Sequence, residues 1–349
     1  MIVLSSNIKL ILLVLLYVVT AIVSSKKNPP YNLREGPEHF EDFINIHNKV
    51  YGSDEEKAMR YEIFLRNLEQ INQLNAKHNY TEFGITQFSD LTLQEFLTKQ
   101  TCVKASSNYY GDCRPVTEDL DYYDGPTRIN LDIVRLPTDI DWRDKNVVTS
   151  VKNQGGCGSC WAFSTVGNVE SMNAIKTGQL TDLSEQQLVD CDTQNNGCKS
   201  GIPAVALQYF MSKGAMTSES YPYTVADGTC KYDANSVAVR VADCVSVTGG
   251  EDAIAEQLAQ MGPLSIAIDS ASIHHYNGAI IHGQSCQSGP INHAVLLVGY
   301  GTDSASGLKY WIVKNSWGEI WGENGYFRME KGVNCLSMTS QPPVYAVIQ

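Results

Sequence analysis

The chain has 349 residues, 43% of them hydrophobic and 18% charged, an ordinary globular composition with enough length for a sizeable core and more than one folding unit. Its formal net charge of -12, with no basic run to offset it, argues against nucleic acid as a partner, because phosphate binding needs a cationic face.

The N-terminus has Lys9, the apolar stretch Leu10 to Val23, then Ser24, Ser25 and Lys26. A weakly positive start, an apolar run of about 14 residues and small residues at its exit predict a secretory signal over residues 1–25. The run falls short of the about 20 apolar residues a membrane span requires, so no stable span is expected once it is removed. Ten cysteines in a secreted chain imply disulfides.

From Phe40 to Asn75 the pattern is helical and amphipathic, with Phe40, Phe43, Ile44 and His47 on one face before a turn near Gly52-Ser53. In the second helix Glu56, Arg60, Phe64, Asn67, Ile71 and Asn75 recur every three or four residues and share one stripe. Packing alone would send Phe64 and Ile71 into a core and pair Glu56 with Arg60. Asn79-Tyr80-Thr81 is an N-x-S/T sequon, which makes Asn79 the candidate for glycosylation. Residues 101–135 carry Cys102, Cys113, two Tyr-Tyr pairs and the run Glu118-Asp119-Leu120-Asp121. Turn residues and charge make that stretch a poor core and a good protease target.

Leu136-Pro137 and Asp141-Trp142-Arg143 open a new unit. Up to about Gly214 its signals are helical: Cys160 to Lys176, a helix opened by Ser184-Glu185-Gln186, and Ile202 to Met211. From Val237 the chain is strand-like, with alternating Val237, Val239 and Val241, then Leu264 to Ile268, Ala294 to Val298 and Tyr310 to Val313. The expected fold is α+β: a helical lobe and a β-barrel-like lobe meeting at a cleft, with Cys160 from the first and His293 from the second.

Chemistry concentrates in the run Gln154 to Phe163 and in two later ones, Asn292-His293-Ala294 and Lys314-Asn315-Ser316-Trp317-Gly318. A thiol attacks a carbonyl as its thiolate, which is favoured beside an imidazolium and at a helix N-terminus. Cys160 at a helix start and His293 meet both conditions. Asn315 would hold the second ring nitrogen of His293, Trp317 would cover that bond from water, and the Gln154 amide would donate to an oxyanion together with the Cys160 N–H.

Taken together these motifs resemble papain and cathepsin L from Leu136 nearly to the end, including Trp321-Gly322-Glu323-Asn324-Gly325-Tyr326. The stripe from Glu56 to Asn75 matches the cathepsin L-like propeptide pattern at every position. Gly84-x-Thr86-x-Phe88-x-Asp90 is similar to that family's second propeptide motif, with Thr86 in place of Asn. Phe40-Glu41-Asp42-Phe43, Val239 to Cys244, Ala267 to Ile273 and Asn292 to Tyr300 further resemble baculovirus-type viral cathepsins.

The resemblance implies an inhibitory propeptide over 26–135 whose tail crosses the cleft opposite to substrate, maturation near Arg135/Leu136, and a papain-like catalytic domain over 136–349. It implies a cysteine endopeptidase without cofactor or metal, acting on proteins and inhibited by its own propeptide, with catalytic residues Cys160, His293 and Asn315. It pairs Cys157 with Cys198, Cys191 with Cys230 and Cys286 with Cys335, leaving Cys160 free. Gly201 would meet the substrate main chain beside Ser200, where the family usually has glycine, and Ile202, Pro203, Ala267, Ile291 and Ser340 would line the pocket for the second residue before the scissile bond (P2). The enzyme would wait in the endoplasmic reticulum of an infected cell and break down host tissue after release; general lysosomal proteolysis is the alternative.

Two other readings weigh less. Cys157-Gly158-Ser159-Cys160 is a C-x-x-C, but in redox proteins the aromatic precedes the first cysteine, whereas Trp161 follows the second. A metal site is poorer, since His274 and His275 are adjacent rather than spaced to converge on one ion. Cys244 is expected to stay unpaired unless it reaches a prosegment cysteine, and Cys102 and Cys113 are near enough in sequence to join each other.

Overall fold

The computed structural model describes residues 29–103, 113–116 and 136–349; the signal stretch, both Tyr-Tyr pairs, the acidic run from Glu118 and Arg135 at the expected maturation point lie outside them.

The prosegment begins as two helices, α1 (Gly36–Ile46) and α2 (Asp54–Lys77). Ser53 caps α2 by accepting from the Glu56 N–H at 3.2 Å, and Asp54, Glu55 and Glu56 add negative charge to its first turn. Phe40 and Phe43 of α1 meet Phe64 and Leu68 of α2 in a small core of their own. The polar members of the α2 stripe tie down the returning chain. Asn67 Nδ2 donates to the carbonyls of Ser89 (2.8 Å) and Leu91 (2.9 Å), and Asn75 exchanges two hydrogen bonds with the Phe83 backbone. The expected Glu56–Arg60 pair does not form. Arg60 instead donates to the Glu95 carboxylate at 2.8 Å and the Asp90 carbonyl at 3.1 Å, while Glu56 accepts from the Gly52 N–H. An exposed i,i+4 pair gives only tenths of a kcal/mol, so the more buried partners win.

After α2 come β1 (Thr81–Phe83), α3 (Leu93–Gln100), opened by a Thr92/Glu95 capping box, and β2 (Arg114–Pro115). The described parts of 101–135, residues 101–103 and 113–116, depart from the poor core expected there. Cys102, Val103 and Cys113 are buried in the main hydrophobic core.

The body starts with β3 (Ile140–Asp141) and α4 (Cys160–Thr177), followed by α5 (Glu185–Cys191) and α6 (Pro203–Lys213). Helix α4 is buried without interruption from Cys160 to Ala174, which explains its lack of a polar face. Then come β4 (Ala215–Met216), β5 (Val237–Val239), β6 (Val241–Ser246), α7 (Gly250–Gln260), β7 (Leu264–Ile268), β8 (Tyr276–Ile281), β9 (His293–Thr302), β10 (Lys309–Lys314), β11 (Tyr326–Glu330) and β12 (Val344–Ile348). The Val237–Val241 alternation is two strands: β5 pairs with β4, and β6 pairs with β12.

Ten strands form one mixed sheet in the order β1-β8-β11-β10-β9-β7-β12-β6-β2, with β3 also on β9. Both outer strands of that path, β1 and β2, come from the prosegment, so the catalytic body's sheet is extended at each end by the segment expected to inhibit it. Helix α4 packs on β9, β12 and β7, which sets its N-terminus beside the start of β9. Among the described residues no helix is long and apolar enough to cross a membrane.

Candidate active site

Cys160 is the first residue of α4, where unsatisfied amides and the helix dipole favour negative charge. His293 opens β9 opposite Ile268 of β7, and Asn315 directly follows β10. The sheet thereby brings three residues far apart in sequence to one point. The Ala294 N–H approaches the Cys160 sulfur at 3.2 Å, and His293 Nε2 lies 2.8 Å from Asn315 Oδ1. Asn315 Oδ1 also accepts from the Ser316 N–H at 2.8 Å, which fixes the amide and makes Nε2 the protonated ring nitrogen. His293 Nδ1 is then the basic nitrogen, and it is buried without a hydrogen-bond partner. Trp317 stacks on the imidazole, ring centroids 4.7 Å apart, and is itself almost wholly buried.

Burial lowers the His293 pKa to about 4, against a smaller opposing contribution from Asn315. The ring is therefore neutral at physiological pH in the proenzyme. Gln154 is fully buried, its Oε1 held by Ser316 Oγ at 2.7 Å, which turns its NH2 group outward. That amide meets the carbonyls of Cys157 (3.1 Å) and of prosegment residue Gln100 (3.3 Å).

The prosegment fills the cleft. Phe88 and Phe96 stand edge-on to Trp317 at 5.1 and 5.4 Å, and Gln87 Nε2 donates to the Trp317 carbonyl. Beyond α3 the chain runs extended: the N–H groups of Cys102 and Val103 donate to the Asn292 carbonyl at 2.9 and 3.0 Å, and Gly201 N–H donates to the Cys102 carbonyl at 3.0 Å. Gly201 has to be glycine here, because a Cβ would lie 2.3 Å from the Trp161 ring. Of the expected pocket residues, Pro203, Ala267 and Ile291 are buried and Ile202 packs against the core; Ser340 is exposed. Asn79 is exposed between α2 and β1.

Every cysteine is paired. Cys157–Cys198, Cys191–Cys230 and Cys286–Cys335 lie within the body. The other two differ from expectation: Cys160 is joined to Cys102 rather than free, and Cys244 is joined to Cys113 rather than unpaired, so Cys102 and Cys113 do not join each other. Two prosegment cysteines are thus crosslinked to the body. The Cys102, Cys160 and His293 ligand atoms lie within 4.8 Å of one another, but the two sulfurs are bonded and not available to a metal.

Sequence reasoning missed Cys102, Gln100, Gln87 and Phe96 as active-site groups. Cysteine parity was the one available signal: setting Cys160 aside leaves seven cysteines after Leu136, so one had to be free or find a prosegment partner.

Residues 136–347 match the papain family cysteine protease pattern, and residues 40–96 match the cathepsin propeptide inhibitor domain (I29). A viral cathepsin of Adoxophyes honmai nucleopolyhedrovirus is 40% identical over 329 residues, 91% of this chain and 93% of the relative. One from Choristoneura fumiferana defective polyhedrosis virus is 38% identical over 342 residues, 97% and 99% respectively. The structure of digestive procathepsin L 3 from Tenebrio molitor larval midgut is similar at a TM-score of 0.79 and 34% identity, covering 89% of this chain and 99% of that one. The chain belongs to the papain family of cysteine proteases, as a cysteine endopeptidase proenzyme that carries its own cathepsin-type inhibitory propeptide.

Proposed function

We propose that Cys160 is the nucleophile of an acid-activated endopeptidase that selects an apolar P2 residue and degrades host proteins during release of a virus. The observation that carries the chemistry is the convergence of the α4 N-terminus, the unpartnered Nδ1 of His293 and the outward-facing Gln154 amide. Once its sulfur is free, Cys160 passes its proton to His293 Nδ1, and the thiolate is held by the imidazolium and the helix dipole. The thiolate adds to the substrate carbonyl, whose oxygen takes the negative charge and receives hydrogen bonds from Gln154 Nε2 and the Cys160 N–H. The tetrahedral adduct collapses, the C–N bond breaks, and His293 protonates the departing amine. Water, deprotonated by the same imidazole, then hydrolyses the thioester. Asn315 holds the ring orientation throughout. Labelling by a cysteine-directed epoxide tests this: the mature enzyme should carry it on Cys160 and lose activity in proportion. Label on another cysteine with activity lost would move the nucleophile elsewhere.

For P2, Ile202, Pro203, Ala267 and Ile291 offer an apolar wall with no charge. Enclosing a Leu, Val or Phe side chain there contributes about 1.5–3 kcal/mol, whereas Arg would be desolvated without a partner. Phe-Arg and Leu-Arg reporters should be cut at least about tenfold better than Arg-Arg. Equal cleavage would contradict the pocket assignment. Ser340 is exposed rather than at the floor of an enclosed pocket, and being uncharged it would add no cation partner.

Acid activation finds its support at the propeptide interface, in histidines rather than in the prosegment carboxylates. Asp90 bonds Lys49 and Tyr51, and Glu56 bonds Gly52, so both hold the prosegment's own fold. Against the body, Thr86 Oγ donates to the His274 carbonyl, Gly84 N–H to the His275 carbonyl, and Phe96 packs on the His274 ring at 5.2 Å. Burial lowers His274 from 6.5 to about 4 and His275 well below its ordinary value, with the neighbouring ring a secondary cause. The docked state, in which Phe96 covers the His274 ring, disfavours the protonated form of that histidine. Its stability is therefore full above the free value near 6.5 and falls as pH drops through the interval towards 4. The prosegment should be released across that window, and His274→Phe, which keeps a ring but cannot protonate, should move the midpoint to lower pH. Release at neutral pH, or an unmoved midpoint, would contradict the histidine mechanism; a gel of the acid-treated proenzyme with thiol present reads both.

The biological role rests on the viral cathepsins to which the chain is similar. Passage through the endoplasmic reticulum, before lysosomal or extracellular action, agrees with complete disulfide pairing.

A further inference from the structure

The cleft holds more than a peptide lying in it. Backbone hydrogen bonds on both sides fix Cys102: its N–H to Asn292, its carbonyl to Gly201. This sets the Cα atoms of Cys102 and Cys160 6.0 Å apart, within the range of about 4.4–6.8 Å that a disulfide spans. Both residues are almost inaccessible, at 3% and 0% exposure. A second crosslink lies further along. Cys113 is joined to Cys244, and the flanking strand β2 pairs in parallel with β6, with Arg114 bridging to Asp243. Cutting the chain near Arg135 therefore leaves the prosegment attached to the body at two points.

We propose that the propeptide is a covalent inhibitor: Cys102 caps Cys160 as a disulfide, and a cellular thiol must open that bond before the enzyme can act. The proposal rests on Cys160 being the nucleophile. A thiolate RS⁻ attacks the Cys102 sulfur, the S–S bond breaks, and its electron pair leaves with the Cys160 sulfur. That direction is favoured because the departing thiolate sits at the α4 N-terminus beside His293. A second RS⁻ attacks the mixed disulfide on Cys102 and forms RSSR, and the Cys102 thiolate departs. The two protons of the original RSH molecules end on Cys102 and on Cys160 or His293. Because both sulfurs are buried, exchange follows loosening of the prosegment by acid or cleavage rather than preceding it. The result is a two-condition zymogen: an oxidising compartment keeps the cap closed even when the chain is nicked, and a thiol pool opens it.

The test uses the full-length secreted proenzyme. After blocking with N-ethylmaleimide, peptide mapping without reduction should yield a fragment joining Cys102 to Cys160. Maleimide on both cysteines would overturn the proposal, whatever any variant does. Next, the proenzyme is cleaved in the acidic linker by an added protease under argon, with a chelator present because Cys102, Cys160 and His293 could hold a soft metal once reduced. Adding glutathione should raise Phe-Arg reporter cleavage at least about tenfold for the natural sequence and for Cys113→Ser, but not for Cys102→Ser, active without it. Equal thiol-free activity in the natural sequence and Cys102→Ser would also refute the cap. Failure of the underlying reading gives a different result: the fully reduced, processed enzyme would be inactive, or Cys160→Ala would be active.

Discussion

Cys160→Ala is expected to lower kcat/KM of the mature enzyme by about four orders of magnitude or more, because removing the nucleophile of an acyl-transfer site abolishes every step that acts through it. His293, Asn315 and Gln154 remain in place, but they can only polarise water weakly. The fold should persist. Cys160 is held by α4, which is buried along most of its length, and by three disulfides confined to the body. The substitution removes one sulfur atom, and in the mature form no crosslink to Cys102 is lost. Hydrolysis of a Phe-Arg reporter and thermal unfolding should therefore separate, with activity gone and the melting temperature nearly unchanged. Residual activity within tenfold of the natural enzyme would assign the nucleophile to another group.

The parts of this arrangement that the sequence displayed are those where one residue type has one use. Gln154 and Cys160 share one motif, His293 and Asn315 stand in two others, and the sheet register brings the three motifs together. The α2 stripe was legible as a pattern. Its physical content became clear only in the structure, where Asn67 and Asn75 hold backbone that no spacing argument could place. Helix α7 went unread because it opens at Gly249-Gly250, both in left-handed conformation, and spans only three turns. Strand β11 alternates, with Phe327 and Met329 buried between Tyr326, Arg328 and Glu330, but over only five residues, while β12 is buried at all but one position and shows no alternation. The departure at 101–103 and 113–116, inside the linker expected over 101–135, has the same origin. Composition marks this stretch as a loop, yet a strand pairing, two disulfides and an occupied cleft bury parts of it. Long-range crosslinks leave no local signature beyond cysteine parity.

Gln154→Ala should reduce kcat by about 10²–10³, equivalent to about 2.7–4 kcal/mol, with KM little changed, because the amide acts on charge that develops only in the transition state. Two observations define the role. Ser316 Oγ holds Oε1 at 2.7 Å, and the Gln154 N–H donates to the Ser316 carbonyl at 2.8 Å, so the side chain is oriented before any substrate arrives. In the proenzyme its NH2 group already touches a main-chain carbonyl, that of Gln100. The propeptide thus places an uncharged carbonyl beside the donor meant for an oxyanion. Ser316→Ala should show a smaller loss in kcat, since it frees the amide to rotate without removing it. Gln154→Glu should be worse than Ala, because an acceptor carboxylate would face the developing negative charge. A Gln154→Ala enzyme with unchanged kcat and a raised KM would make the residue a substrate-binding group, and the oxyanion would then rest on the Cys160 N–H alone.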